Sequence, residues 1–344
     1  MTQDVKIKIS SLTKIFGPDA QSVLKHVENG MSKDELLKEH KHVLGLTNIN
    51  LDLKNKNIEV IMGLSGSGKS TLIRHINRLI EPTAGSIMIG GEDVIQMPPE
   101  QLRKFRQQKT AMVFQSFALL PHKTVLDNVC YGVHLQGVEG EEAITRAQKW
   151  IDRVGLTGYE DRYPTQLSGG MQQRVGLARA LTCDTEILMM DEAFSALDPL
   201  IRSDMQDLLL QLQEELHKTI VFITHDLDEA LKIGDQIAIL NGGALVQHGS
   251  PQDILMNPAD QYVTDFVKKV NRSHVLHAES VMISDKPETN TNVFVKESDT
   301  IDNVLCELLR SDSEYAVVRN EGGVDTGYLT KKCIAQVVKP LAAD

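Results

Sequence analysis

The sequence predicts an α/β fold built on a largely parallel sheet, followed by a second, smaller unit. Short apolar runs of strand length recur along the chain, and amphipathic stretches with helical spacing lie between them. Composition then turns polar near 271–291, which marks a domain boundary. With 344 residues the chain has room for two domains, read as 1–275 and 276–344.

Residues 5–9, VKIKI, alternate apolar and charged, as in a half-buried strand. Residues 17–46 form an insert between the first strand and the next. Within it SKDELLKEH places Ser32 three residues before Glu35, a capping box that predicts a short helix, read as a packing element. IEVIM (58–62) ends at Gly63 and reads as a buried strand feeding a loop, and ILMM (187–190) and TIVFIT (219–224) look the same. In 200–216, Ile201, Met205, Leu208, Leu209, Leu212 and Leu216 keep helical spacing. IAIL-NGG-ALV (237–246) carries a hairpin turn.

Beyond the boundary a strand (Val293–Val295) precedes a helix in which Ile301, Val304, Leu305, Leu308 and Leu309 share a face. A strand (Tyr315–Val318), a turn at Glu321-Gly322-Gly323, a strand near Tyr328 and a closing helix follow. A unit of about 50 residues is marginal for a core of its own, so it is expected to pair with a copy of itself or lean on the main domain.

The 36 basic and 47 acidic residues give a net charge of −11 without a Lys/Arg stripe, which argues against nucleic acid as a partner. Cys130, Cys183, Cys306 and Cys333 lie far apart with no metal-type spacing and read as reduced thiols. The first residues, MTQDVKIKIS, lack the apolar stretch of a secretory signal, and no apolar run reaches membrane-spanning length.

Two features carry chemistry outright. Gly63-Leu64-Ser65-Gly66-Ser67-Gly68-Lys69-Ser70, followed by Thr71, matches the phosphate-binding pattern GxxxxGK[ST] between a predicted strand and helix. Its glycines let backbone N–H groups turn toward phosphates at a helix N-terminus, Lys69 reaches the β- and γ-phosphates, and the Ser70 hydroxyl is a ligand for Mg²⁺. The strand ending Asp191-Glu192 supplies a carboxylate for the Mg²⁺ shell and then a candidate general base for the attacking water. A second Ser-Gly-Gly turn, LSGGMQQR (167–174), poses a puzzle, because one nucleotide needs only one such loop.

Taken together, GLSGSGKST, the Gln of VFQSF, LSGGMQQR, LMMDE, SALD (195–198) and the His of ITHD resemble an ATP-binding-cassette ATPase in order and spacing across residues 1–270. The resemblance implies a phosphate-loop cassette core with an antiparallel β subdomain and a helical subdomain around 107–165. It also implies a homodimer sandwiching two ATP, each signature turn closing over the partner's nucleotide. Ser168, Gly169 and Gly170 then contact the γ-phosphate in trans. Gln115 sits on Mg²⁺ and the attacking water, His225 hydrogen-bonds the γ-phosphate, Asp198 lies at the dimer interface, and Phe16 stacks on adenine.

Longer stretches, among them NRLIEPTAG, AMVFQSFALLPHKTVLDNV and THDLDEALKIGD, resemble the ATPase subunit of bacterial importers for glycine betaine and proline, with relatives for choline and trimethylamine N-oxide. That group shares the 17–46 insert. The resemblance implies a permease whose coupling helix docks at 117–127, near Phe117, Pro121 and Val125, an external substrate-binding protein, and a place on the cytoplasmic face of the bacterial inner membrane.

The C-terminal unit resembles a single cystathionine-β-synthase-type motif. The nucleotide-binding form of that motif ends in Thr with Asp three residues on, and GYLTKKC puts Cys333 at that place. A packing or dimerisation tail and a regulatory unit both remain open. Two other functions compete with transport coupling. One is a soluble cassette ATPase of translation or DNA repair, which usually joins two ATPase domains or inserts a long coiled coil. The other is a chiefly osmosensory subunit.

Overall fold

The structure is a computed structural model that describes residues 5–268, 270–287 and 291–338. Met1–Asp4 of the N-terminal stretch, residues 288–290 of the polar stretch and the last six residues lie outside the described residues. The chain divides into two compact units, Met1–His248 and Gly249–Asp344.

The first unit holds two sheets. Strands β1 (Val5–Phe16), β2 (Val43–Lys54), β4 (Ala84–Ile89) and β5 (Glu92–Asp93) form an antiparallel sheet in the order β2-β1-β4-β5. Strands β3 (Ile58–Met62), β6 (Thr110–Phe114), β7 (Ile187–Asp191), β8 (Thr219–Thr224), β9 (Gln236–Asn241) and β10 (Ala244–Gly249) form a six-stranded sheet, order β10-β9-β3-β8-β7-β6. The β6, β7, β8, β3 and β9 neighbours pair in parallel. Every residue of β3, β7 and β8 is buried, as covered parallel strands require.

Helix Lys69–Ile76 lies in the seam between the sheets. Its Leu72, Ile73 and Ile76 join one apolar cluster with Ile7, Ile9 and Leu12 of β1 and with Ile61, Ile187 and Val221 of the parallel sheet. Each fully buried Leu or Ile contributes about 1.5–3 kcal/mol. The cluster therefore anchors the helix whose N-terminus forms the functional site.

The insert folds as expected around helix Lys33–His40. Ser32 accepts from the Glu35 N–H and Glu35 accepts from the Ser32 N–H, closing the capping box. Val23, Val27 and Leu36 pack on Ile15 and Leu44 in a small core of their own.

Helices Val125–Leu135, Gly140–Arg153 and Gly169–Thr182 pack together as a helical group. The predicted 107–165 range is therefore shifted. Its start contains β6, which belongs to the parallel sheet, and the helix after 168 packs with the group as well.

In the second unit β11 (Phe294–Lys296) runs parallel to β12 (Tyr315–Arg319), which pairs antiparallel with β13 (Asp325–Thr330). Helices Ile301–Arg310 and Lys331–Val338 follow β11 and β13. The unit begins before the predicted 275/276 boundary. Helices Pro251–Met256 and Gln261–Val267 belong to it, and the polar stretch is tied to its strands, with Ala278 donating to Asp299 O and Ile283 exchanging hydrogen bonds with Tyr328. The change in composition therefore falls inside the unit, in a stretch that still buries Arg272, Ser273, Leu276 and Ala278.

Candidate functional site

At the end of β3 the chain needs backbone that only glycine adopts freely. Gly63 has φ +149, and a Cβ there would stand 2.2 Å from the Leu240 carbonyl oxygen of β9. Gly68, at φ 104, begins helix Lys69–Ile76, and a Cβ would meet the Gly45 carbonyl oxygen at 2.8 Å. Gly66 is likewise left-handed at φ 78, and Ser65 and Ser67 complete the turn. The Gly243 N–H donates to Ser67 O, so the β9–β10 turn braces the loop from behind.

The loop is braced, yet one of its polar groups has nothing to bond. The Ser67 hydroxyl is buried and has no hydrogen-bond partner in the protein. A buried orphan of this kind costs about 1–3 kcal/mol unless a ligand satisfies it. Lys69 is 4% exposed, and its Nζ donates to the Gly63 and Leu64 carbonyl oxygens at 2.9 and 3.2 Å. Glu192 Oε1 lies 3.7 Å from the same amine.

Asp191 closes β7, 4% exposed, with both oxygens engaged. Ser70 Oγ donates to Oδ1 at 2.8 Å and Arg74 Nη2 to Oδ2 at 3.3 Å. A half-buried hydroxyl beside a buried carboxylate is the hard-oxygen donor set that suits Mg²⁺. Arg74 lies one helical turn after Ser70, a relation that the spacing alone contains but that matters only once the helix faces β7.

Glu192 leaves the strand in the left-handed region, φ 48, with its N–H donating to Ile223 O of β8. A side chain held there stores about 1–3 kcal/mol of strain. Gln115, at the end of β6, donates to Glu192 Oε2 at 3.1 Å and to Ser195 Oγ at 3.2 Å. Ser195 in turn donates to the Glu192 carbonyl oxygen at 2.9 Å. His225, just past β8, brings Nδ1 to 3.8 Å from Glu192 Oε2. The parallel sheet thus delivers Lys69, Ser70, Asp191, Glu192, Gln115 and His225 to one edge, where the carboxyl ends of its strands meet the helix N-terminus. Thr71 lies in the first turn of that helix.

The other predicted residues do not join this group. Ser168 caps helix Gly169–Thr182, its Oγ accepting from Met171 N at 3.3 Å. Among the described residues, its hydrogen bonds stay within that helix end. Gly170 abuts Ile201, where a Cβ would come within 2.7 Å of the side chain. Asp198 caps helix Pro199–Leu216, accepting from Ile201 N. Phe16 ends β1, 38% exposed, with Lys14 Nζ 5.0 Å from its ring centre and Gly45 against its edge.

In the segment after Gln115, Phe117 and Ala118 both have positive φ, and Arg179 holds the turn by donating to their carbonyl oxygens at 3.1 and 2.7 Å. Asn128 ties Leu120 by both its N–H and its carbonyl. Phe117 is half-buried and Pro121 exposed, but Val125 is 0% exposed. Its place among the docking residues is corrected accordingly. It opens a helix capped by Thr124, and its side chain turns into the core.

A mouth of glycine-loop amides, a buried amine and an oxygen pair for a hard cation suits a polyphosphate, the chemistry of a phosphate-loop nucleotide hydrolase. Residues 46–195 match the family model described as ABC transporter. The glycine betaine transport ATP-binding protein OpuAA of Bacillus subtilis is 54% identical over 278 residues, covering 81% of this chain and 66% of that protein. The trimethylamine N-oxide transport system ATP-binding protein TmoW of Pelagibacter ubique is 44% identical over 91% of this chain and 92% of its own length. Among solved structures, the dimeric ATP-binding cassette MJ0796, in a post-hydrolysis state bound to ADP and Pi, is 32% identical with a TM-score of 0.61, covering 71% of this chain and 98% of that one. The chain belongs to the ATP-binding subunits of ABC transporters. Among the described residues no helix is long and apolar enough to cross a membrane.

Proposed function

We propose that this chain hydrolyses ATP in a homodimer and thereby energises import of a glycine betaine-type osmolyte (glycine betaine, proline, choline or trimethylamine N-oxide) through a membrane permease. The observation that carries the reading is a half-site assembled in one chain, Lys69 to His225, together with a separate anion turn at Ser168–Gly170 that contacts none of those groups. A second copy completes both.

In this reading the amides of 63–70 and Lys69 hold the β- and γ-phosphates, and the ligand satisfies the orphaned Ser67 hydroxyl. Ser70 and Asp191, with Gln115, would hold Mg²⁺, which when bound draws charge off the phosphate oxygens. Glu192 accepts the proton of the water that attacks the γ-phosphorus, as the bond to the β-phosphate oxygen breaks and ADP leaves. Gln115 orients that water, His225 donates to the γ-phosphate, and Ser168, Gly169 and Gly170 of the partner close over it. Asp198 faces the dimer interface and Phe16 stacks on adenine.

The osmolyte class is supported by the relatives, whose names assign them to glycine betaine and trimethylamine N-oxide transport. A permease helix is read as docking near Phe117 and Pro121, with the chain on the cytoplasmic membrane face and an external binding protein delivering the cargo. The strand–helix–strand–strand–helix order of β11 to residue 338 supports a cystathionine-β-synthase-like reading of the C-terminal unit.

The test is ATP hydrolysis by this subunit with its permease and binding protein in proteoliposomes. Glycine betaine, proline, choline, carnitine and trimethylamine N-oxide are compared. Stimulation by one of them names the cargo and establishes coupling. Hydrolysis unchanged by all five removes the trimethylammonium assignment and leaves the ATPase standing.

A further inference from the structure

Two loops at the site are joined by one side chain, Arg202. It lies in the first turn of helix Pro199–Leu216, directly after the 195–198 segment. Its Nη2 donates to the carbonyl oxygens of Leu197 at 3.1 Å and Ser195 at 3.4 Å, and its Nη1 to Asp226 Oδ2 at 3.2 Å. Asp226 follows His225 and caps helix Leu227–Ile233, accepting from the N–H groups of Asp228 and Glu229. One guanidinium thus spans the segment ending in Asp198 and the loop carrying His225.

The link continues below it. Gln206 Nε2 donates to the buried Glu229 carboxylate at 3.1 Å, and Lys232 pairs with Asp207 at 2.7 Å and donates to Ser203 at 3.2 Å. Residues 202 and 206, and 203 and 207, are spaced to share a helix face, so three rungs bind the two helices. Both helices present their N-termini at the same end, where the two loops lie. From the other side Ser195 connects to Glu192 and Gln115. The 195–198 segment is thus linked to the His225 loop through Arg202 and to Glu192 through Ser195.

We propose that Arg202 is a positioning residue. It makes the 195–198 segment and His225 one rigid unit, so that a second subunit settling on Asp198 sets His225 for the γ-phosphate in the same movement. This rests on the homodimer reading above. Here Nη2 holds the two carbonyl oxygens and Nη1 the carboxylate, a division between two nitrogens that a single ammonium does not offer, so lysine is not an equivalent.

The test starts from full-length Glu192→Gln protein with ATP and Mg²⁺, whose dimerisation is followed by sedimentation and whose ATP affinity by fluorescent-nucleotide titration. In that background Arg202→Gln and Arg202→Lys are expected to weaken the ATP-driven dimer about tenfold or more, the loss expected for a charge-assisted link. ATP affinity of the monomer stays as in the parent. Asp226→Asn, which still caps its helix, gives the same loss, and the double variant Arg202→Gln/Asp226→Asn is no worse than either single one. Dimerisation equal to the parent's overturns the proposal. So does a loss of dimer matched by equal losses of ATP affinity and thermal midpoint, which is the mark of a merely structural role. A Glu192→Gln parent that stays monomeric with ATP removes the homodimer reading, and this inference with it.

Discussion

The two glycine-bearing turns of the first unit are built for the same task and finished differently. The 63–70 turn is braced by Gly243 and surrounded by Lys69, Asp191, Glu192, Gln115 and His225 of its own chain. The 167–170 turn has the same raw material, a Ser hydroxyl and two glycines at a helix N-terminus, but no catalytic group beside it. It is held by hydrogen bonds of its own helix end and by packing on Ile201 and on the Phe117 turn that Arg179 holds. A helix N-terminus backed by a helix of 14 residues attracts an anion whichever chain supplies it. In the function proposed above, the difference means that one turn takes a ligand itself and the other closes on a ligand held by the partner.

The sharpest way to break this comparison is at its chemical end. Glu192→Gln is expected to lower ATP turnover by about 10²–10⁴-fold, the contribution of a positioned base, while ATP binding persists and traps a dimer. Steady-state hydrolysis and sedimentation check it. Turnover at the normal rate means that Glu192 is not the base.

The two turns are next separated by comparing Lys69→Ala with Ser168→Arg. Both are expected to abolish hydrolysis. Only the first weakens ATP binding to the monomer, since only the first touches the in-chain half-site. Equal loss of monomer binding in the two variants erases the distinction between the turns.

A smaller effect is expected for Phe16→Ala. Losing a base stack costs about 1–3 kcal/mol, so ATP affinity falls between several-fold and about a hundredfold, and inorganic triphosphate binding does not change. Calorimetric titration of both ligands checks the pair, and an unchanged ATP affinity removes the adenine assignment.

The smallest effect concerns the frame behind the half-site. Hydrogen bonds from Lys109 and then Lys6 lower the Glu186 carboxyl to about 2. A depressed folded-state value stabilises the fold above the unfolded carboxyl range near 4.3, and that stabilisation is lost as pH falls toward about 2. The groups are partly exposed, so solvent screening keeps the term below about 1 kcal/mol. Thermal midpoints of Glu186→Gln and the parent should differ slightly at pH 6 and converge below pH 3. A constant gap across that range means that the carboxylate's charge is not the cause.

Strands β3 and β8 were legible residue by residue, because both are covered on both faces and read as unbroken apolar runs, whereas β6 was read as part of the 107–165 helical range. The first strand was legible only over 5–9. Its pairing shifts register at several points, and Ser11 takes a positive φ, which breaks the alternation on which the reading depends. Val125 was placed among the docking residues because the resemblance set the whole 117–127 stretch against a permease, but as the first residue of a helix capped by Thr124 it is buried. Arg74 and Arg202 carried no local signal. Their importance comes from where two distant segments meet, at β7 in one case and at the His225 loop in the other. The phosphate loop was the most legible part, since its glycines, lysine and serine are adjacent in sequence as well as in space.

The claim that each nucleotide is shared between a 63–70 turn and the partner's 167–170 turn is tested most directly by mixing two inactive variants. A heterodimer of Lys69→Ala and Ser168→Arg subunits carries one site with both defects and one with neither. Tagged heterodimers are isolated from the mixture and their ATP hydrolysis is measured. The account predicts activity restored from two silent parents. Heterodimers that form and stay as inactive as either parent would contradict it, because each site would then lie within a single chain.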